Sequence, residues 1–367
     1  MTARRTRTRS RRLAAAGRQA AVGGLIVGLS APLVAGSAGA AVGRSTLLSA
    51  DKQSHVKIVI YSDDPLATAG AKAYRLATGN YPVTVVGGTA SQLVARIEAQ
   101  GNHPQWDVLW LRGDEAFPAL DARGLLLRHW APPVHYTSLA QQIIPKDRSY
   151  APIALTMAGA LVYNANTVPK PPTSWGALTS PEYRGAVGMT DPTGSSPSYP
   201  EVAGMAQELG GVAQGEAFYE KLKANGLHVY GSDAATLHAL ESGSIKFATI
   251  QSSAGTQASL ETHGLKVAYL KPETVLPSVI AVAGGLPKKV LVYAKWISDL
   301  MYSQLGQYKL LTADPKGVSL FWPVLRNEKP QPALPPLSSV PAQVINASTW
   351  GPRQAAIDTW FANNIAR

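Results

Sequence analysis

Short β-rich apolar runs alternate along this chain with stripes of apolar residues at helical spacing. Residues 55–61 (HVKIVIY) form a run suited to a buried strand. The turn Ser62, Asp63, Asp64, Pro65 follows, and then Ala69, Ala73, Leu76 and Ala77 mark the inward face of a helix. Residues 82–86 (PVTVV) predict a second strand, ended by Gly87, Gly88, Thr89, Ala90 and Ser91, with Leu93, Val94 and Ile97 inward on the next helix. Residues 107–111 (DVLWL) predict a third, ending at Arg112, Gly113, Asp114 and Glu115. Three strand–loop–helix units in succession predict a parallel α/β sheet.

Residues 125–152, with Pro132, Pro133, Pro145 and several aromatics, read as a long surface connection. Two strand-like pieces follow around Ala158 and Gly159, and residues 185–190 form a short buried strand. Further on, helical patterns over 215–225 and 233–241 alternate with strands at Val229 and Tyr230, 245–250 and 265–270. The second half therefore carries its own α/β lobe, and the chain returns to the first lobe near 276–282. Helical patterns around 290–305, a Pro-rich surface segment over 323–341 and a final helix with Ala355, Ile357, Trp360 and Phe361 complete the chain. No internal repeat or coiled coil is present.

Residues 191–209 (DPTGSSPSYPEVAGMAQEL) join these lobes to chemistry. A hydroxyl- and Gly-rich turn feeds an amphipathic helix whose Val202, Met205, Ala206 and Leu209 recur at helical spacing. Ser196 with Pro197, or Ser198 with Glu201, is expected to open it. A fixed helix start favours an anion or a polar ligand oxygen, although an ordinary capped helix has the same local pattern.

The first 40 residues alter the charge argument. Seven arginines without an acid precede an apolar run over 20–35 and the small residues Ala38, Gly39 and Ala40, the layout of a secretory signal peptide cleaved after Ala40. Ser10, Arg11, Arg12 and Leu13 resemble the start of a twin-arginine signal, so either the general secretory or the twin-arginine route fits. The formal charge of +11 shrinks to about +4 once the leader is removed, with 27 basic residues against 23 acidic, and nucleic-acid binding is set aside. Without cysteine the chain has no disulfide, no thiolate metal site and no lipid acceptor. A soluble, non-lipidated, exported, periplasmic protein is the expectation.

Ligands of open α/β sheets bind beyond the carboxyl ends of the strands. Here those ends bring Ser62, Asp63, Gly88, Thr89, Trp110 and Arg112 to one edge, although each also has a structural use as cap, turn or core residue.

The order of motifs resembles the extracellular solute-binding proteins of ABC importers, family 1, in the branch with ferric-iron, phosphonate, organophosphate and polyamine binders. The matching pieces are IVIYSDD at Ile58, GGTASQLVARIEAQ at Gly87, WDVLWL at Trp106, LDARGLL at Asp121, LVYNANTV at Leu161, PPTSWGALTSPEYRGAVGMTDPTGSSPSY at Pro171 and HALESGSIKFATI at His238. The resemblance implies an α/β fold of type II, a two-lobed clamp with a mainly parallel sheet flanked by helices in each lobe. Lobe 1 is expected over 41–157 and 277–367, with the C-terminal helices near both lobes, and lobe 2 over 158–276. Closure by ligand-driven population shift would hand the solute to an ABC permease in the inner membrane. The expected state is a monomer without cofactor or catalytic activity.

Carried over position by position, the resemblance implies ligand contacts at Ser62, Asp63, Gly88, Thr89, Trp110 and Arg112 from the first lobe. From the second it implies Thr193, Gly194, Ser195, Ser196, Gln251, Ser252 and Ser253. Ferric members carry adjacent tyrosines where this chain has Ser253 and Ala254, and neither residue replaces a phenolate ligand. Small donors, a helix start and Arg112 suit a phosphonate, organophosphate or carboxylate, either anionic or zwitterionic. Asp63, Asp64 and Glu115 would meet an ammonium group, so a polyamine, with Trp110 in cation–π contact, is an alternative beside iron or an iron chelate. An exported hydrolase is the alternative of another class, but neither Ser195 nor Ser196 sits in a G-x-S-x-G elbow. Metal-binding spacings such as H-E-x-x-H are absent from the sequence.

Overall fold

The apolar runs become strands in the structure, a computed structural model that describes residues 56–193 and 196–367. The expected leader, cleavage site and export signal lie outside the described residues. β1 (Ile58–Ser62) pairs in parallel with β2 (Val83–Gly87) on one side and β3 (Val108–Arg112) on the other. Their connections are α1 (Leu66–Thr78) and α2 (Ala90–Gln100). α1 buries Ala67, Gly70, Ala71 and Tyr74, whereas Leu76, expected inward, is 63% exposed. The reason is close approach: a Cβ on Gly70 would lie 2.6 Å from the Trp110 ring, so small residues must face the sheet.

The first sheet has seven strands. Its main order is β11 (Trp322–Pro323), β4 (Tyr150–Met157), β10 (Glu273–Val282), β3, β1, β2, with β12 (Ala342–Gln343) beside β10. The second has five, in the order β7 (His228–Tyr230), β6 (Val187–Thr190), β8 (Phe247–Ile250), β5 (Ala160–Asn164), β9 (Leu265–Ala268). Both sheets are mixed. β2–β1–β3 and β7–β6–β8 are parallel, as the strand–helix alternation predicts, while β10 runs antiparallel to β3 and β4, and β5 to β8 and β9. The antiparallel members are the strands beside the passages from one sheet to the other, where no helical crossover reverses the chain.

Two expectations are corrected by burial. The supposed surface connection over 125–152 contains α4 (Ser138–Ile143) and buries Trp130, Tyr136, Ala140 and Ile143 in the first core. Its prolines break regular structure, but its aromatics supply too much apolar area to leave in water. α3 (Phe117–Ala122) adds Phe117 and Leu120 to the same core. At the other end, Ile345, Trp350, Ile357, Phe361 and Ile365 pack with Tyr199, Val202, Tyr219 and Phe247 of the second core. The closing helices α11 (Ala347–Trp350) and α12 (Gln354–Asn364) thus rest on second-sheet elements; the Pro-rich segment over 323–341, expected at the surface, instead buries Val324, Leu334 and Val340 in the first core. Lys223 Nζ fixes the end by donating to the carbonyls of Asn364 and Arg367 at 2.6 and 2.8 Å. Full burial of side chains such as Ile357 and Phe361 contributes about 1.5–3 kcal/mol each.

α6 (Val212–Ala224) packs in the second core, α7 (Asp233–Glu241) and α8 (Ser252–Glu261) form a further cluster with Val162 and Ile250 of the second sheet, and α9 (Lys288–Met301) and α10 (Gln304–Thr312) cover the first sheet. The 191–209 helix is α5 (Tyr199–Leu209), preceded by a 3₁₀ turn at Ser196–Ser198. The expected Ser198–Glu201 capping pair does not form: the Ser198 side chain makes no cap bond, and Glu201 is turned into the interior; Leu209 is 41% exposed.

Candidate ligand site

Arg112 ends β3 where the two sheets face one another. Its backbone N–H donates to Asp63 Oδ1 at 2.9 Å, so the loops after β1 and β3 hold each other. Its side chain borders two compartments. The inner one, about 140 Å³, is lined by Asp64, Thr156, Gln251, Ser253, Ser278 and Phe321 among others. The outer one, about 640 Å³, includes Asp63, Thr89, Glu115, Thr193 and Asp358. Both lie beyond strand ends, as the parallel-sheet rule requires.

The expected residues divide by what their polar atoms already do. Asp63, Gly88, Thr89, Arg112 and Thr193 come together on the outer compartment, and Arg112, Gln251 and Ser253 on the inner. Thr89 also caps α2, its Oγ1 accepting from the Gln92 amide at 3.3 Å while Gln92 Oε1 accepts from the Thr89 amide at 3.1 Å. The Thr193 amide and hydroxyl both donate to Asp191 Oδ1, at 2.8 and 2.7 Å. Gln251 Nε2 reaches across to Thr156 Oγ1 at 3.2 Å, joining the end of β8 to β4.

Ser62, Trp110 and Ser252 border neither compartment. The Ser62 hydroxyl closes a turn with the backbone of Asp64, and Ser252 Oγ accepts from the Met157 amide at 2.9 Å. Trp110 is 1% exposed and donates through Nε1 to Ser278 Oγ at 2.8 Å, so no ring face is open for the expected cation–π contact. Gly194 and Ser195 lie outside the described residues, and Ser196 belongs to the 3₁₀ turn.

Charge in the cleft is concentrated and poorly compensated. Arg112 Nε is buried without a hydrogen-bond partner, and Arg112 is the sole cation among the described residues lining either compartment. Asp64, 6% exposed, keeps one oxygen on the Leu66 amide at 2.9 Å while Oδ2 lacks a partner. Burial pushes its carboxyl above the usual range against the lowering effects of Ser278, the Leu66 amide and Arg112. In the outer compartment burial, reinforced by Asp114, raises Glu115 to about 8, and burial raises Asp358 to about 7. Glu115 Oε1 and Asp358 Oδ1 have no partners. Asp233 at the start of α7 accepts from Thr190 Oγ1 at 2.6 Å and from the Gln251 amide at 3.3 Å; burial raises it, with Arg112 among the opposing influences.

Asp358 and Gln354 were not legible as site residues. They reach the outer compartment from α12, far from the other lining residues in sequence and without a motif. Among the described residues no group of three or more His, Asp or Glu side chains converges as metal ligands, and no tyrosine lines either compartment.

The sequence matches the profile of bacterial extracellular solute-binding proteins over residues 69–316. A comparison with curated protein sequences gives no match. Among solved structures, iron-bound HitA from Pseudomonas aeruginosa aligns with a TM-score of 0.71 at 21% identity, covering 83% of this chain and 98% of HitA. The periplasmic binding protein AfuA from Actinobacillus pleuropneumoniae, with exogenous fructose-6-phosphate bound, aligns at 0.70 and 18%, covering 84% and 98%. A periplasmic thiamin binding protein aligns at 0.67 and 16%, covering 86% and 98%. At these identities the likeness is one of fold, and it agrees with the type II clamp expected from the sequence. With more than half its length matched by the family profile, the chain belongs to the bacterial extracellular solute-binding protein family.

Proposed function

We propose that this protein captures a small anionic or zwitterionic solute, of the phosphonate, organophosphate or carboxylate type, and delivers it to an ABC permease. The observation that carries the solute class is Arg112: a half-buried guanidinium whose Nε is buried and unpartnered, bordering both compartments between the two sheets. Acidic neighbours such as Asp64 and Asp233 act on this cation through space, but its buried Nε–H lacks an acceptor, and an oxyanion supplies charge and hydrogen bonds together. The 191–198 turn contributes Pro192, Thr193 and Pro197 to the same outer wall. Asp63, Glu115 and Asp358 on that wall suit an ammonium group on the same molecule, which favours the zwitterion over the simple anion.

Iron is the second reading, supported by the likeness to iron-bound HitA. Without a tyrosine on either compartment among the described residues, a chelate whose carboxylates meet Arg112 fits these walls better than a bare ferric ion.

Thermal unfolding of the protein from Ala41 onward against phosphonates, sugar phosphates, polyamines, and ferric iron with and without citrate separates these readings. A compound at 100 times its Kd adds about 2.7 kcal/mol. A shift with the phosphonates or phosphates supports the oxyanion reading, and a shift confined to iron or to polyamines overturns it.

A further inference from the structure

The chain passes between the two sheets three times: at Ala158 and Gly159 between β4 and β5, over 269–272 between β9 and β10, and after β12 on the way to α11. One face of α5 meets these passages in order. A Cβ at Gly159 would overlap the Glu201 carboxyl. One helical turn on, a Cβ at Gly204 would overlap the Thr274 side chain at the start of β10. Another turn on, Gln207 Nε2 donates to Gln343 Oε1 at 3.3 Å and to the Val344 carbonyl at 3.2 Å. Gln343 Nε2 in turn donates to the Gly204 carbonyl at 2.8 Å and to Thr274 Oγ1 at 3.2 Å. Positions 201, 204 and 207 are three apart and therefore share a helix face. The turn before this helix borders the outer compartment, so α5 joins the cleft wall to all three passages.

Two of the passages carry a buried carboxyl. Glu201 is 9% and Glu273 1% exposed, and among the described residues neither forms an ion pair. Glu201 faces Gly159, the Thr249 hydroxyl of β8, Tyr219 of α6, Asp233 of α7 and Glu273. Glu273 Oε1 accepts from the Leu270 amide at 2.6 Å while Oε2 is unpartnered, and its other titratable neighbour is Tyr269. No Lys or Arg figures among the groups acting on either carboxyl, and burial raises both. A neutral carboxyl suits dry packing against a passage that must rotate; an ionised one requires water there.

We propose that α5 is the hinge strap of this clamp, and that Glu201 and Glu273, seated on the first two passages, make opening and closing a proton-linked equilibrium. This rests on the clamp reading above but not on the identity of the solute. As pH rises, the conformer that admits water to the passages gains population, and by linkage any solute that favours the other conformer binds more weakly.

The chain has no cysteine, so Leu76→Cys on α1 and Leu260→Cys on α8, both at exposed positions, place two spin labels on helices beside the two sheets. Pulsed electron paramagnetic resonance then reads their separation in solute-free protein at pH 6 and pH 9. The expected result is a redistribution between two separations that disappears in the Glu201→Gln, Glu273→Gln double variant. A one-unit difference in carboxyl pKa between conformers changes their ratio about tenfold. A pH-independent distribution in the labelled protein, a measurement that needs no hinge variant, overturns the proposal, as does a redistribution that survives in the double variant. Repeating the measurement with 2-aminoethylphosphonate separates the failures: a response to that compound without one to pH removes the proton linkage alone, and a response to neither, in protein that the compound stabilises against heat, removes the clamp reading as well.

Discussion

Trp110 Nε1 donates to Ser278 Oγ at 2.8 Å, tying β3 to β10 beneath the inner compartment. The bond spends the indole N–H and turns the ring against α1, where Gly70 makes room. Ser278→Ala would leave that N–H buried and unpaired, so a loss of about 1–3 kcal/mol is expected. Urea denaturation checks it; an unchanged midpoint would mean that the indole finds another acceptor.

Arg112→Ala should separate stability from binding. Removing a half-buried guanidinium whose buried Nε has no partner relieves desolvation, so the solute-free protein should unfold at about the same temperature. Binding of a phosphonate or phosphate identified by thermal shift should weaken by about 1.5–3 kcal/mol, roughly 10- to 150-fold. Calorimetric titration that finds equal affinity in the variant moves the anion elsewhere in the cleft.

The raised carboxyls predict a pH slope. Burial lifts Glu115 and Glu201 to about 8 and Asp358 to about 7, so the folded state holds their protons more tightly than the unfolded chain does. Stability is therefore greatest near or below the ordinary carboxylate range and declines as pH rises from about 4.5 toward 8. Each group can add at most about 1.4 kcal/mol per pH unit within its window. Urea unfolding at pH 5, 6.5 and 8 should show the decline, shallower in Glu201→Gln. Stability that rises over this interval would contradict it.

Gly204→Ala sets two effects against each other. Alanine improves helix propensity by about 1 kcal/mol, but here its methyl enters the space of Thr274, which is 4% exposed and held by Gln343. Overpacking of about 1–3 kcal/mol should win. Adding Thr274→Ala should recover most of the loss, and a double variant no more stable than the single one would mean that the helix itself is displaced.

The chain by itself determined most of its strands and helices and the order of its motifs, though not α4 within 125–152. Apolar runs such as IVI at Ile58 and IKFATI at Ile245 have few ways to hide except as buried strands, and α7 begins and ends where its spacing indicates. It also brought Asp63, Thr89, Arg112 and Gln251 to strand ends, because in parallel units the edge follows from element order alone. Tertiary structure decided which way each side chain turned. Trp110 and Ser252 share strand-end positions with Arg112 and Ser253, yet packing against α1 and a backbone amide of β4 took them out of the cleft. Asp358 entered it because Phe361 and Ile357, on its own helix, found their burial among second-core residues such as Tyr219. Glu201, legible as half of a capping pair, became an interior carboxyl at Gly159 because α5 lies across the passages. Periodicity is a local property of the chain, whereas the partner of a buried polar atom is set by which distant segments arrive beside it.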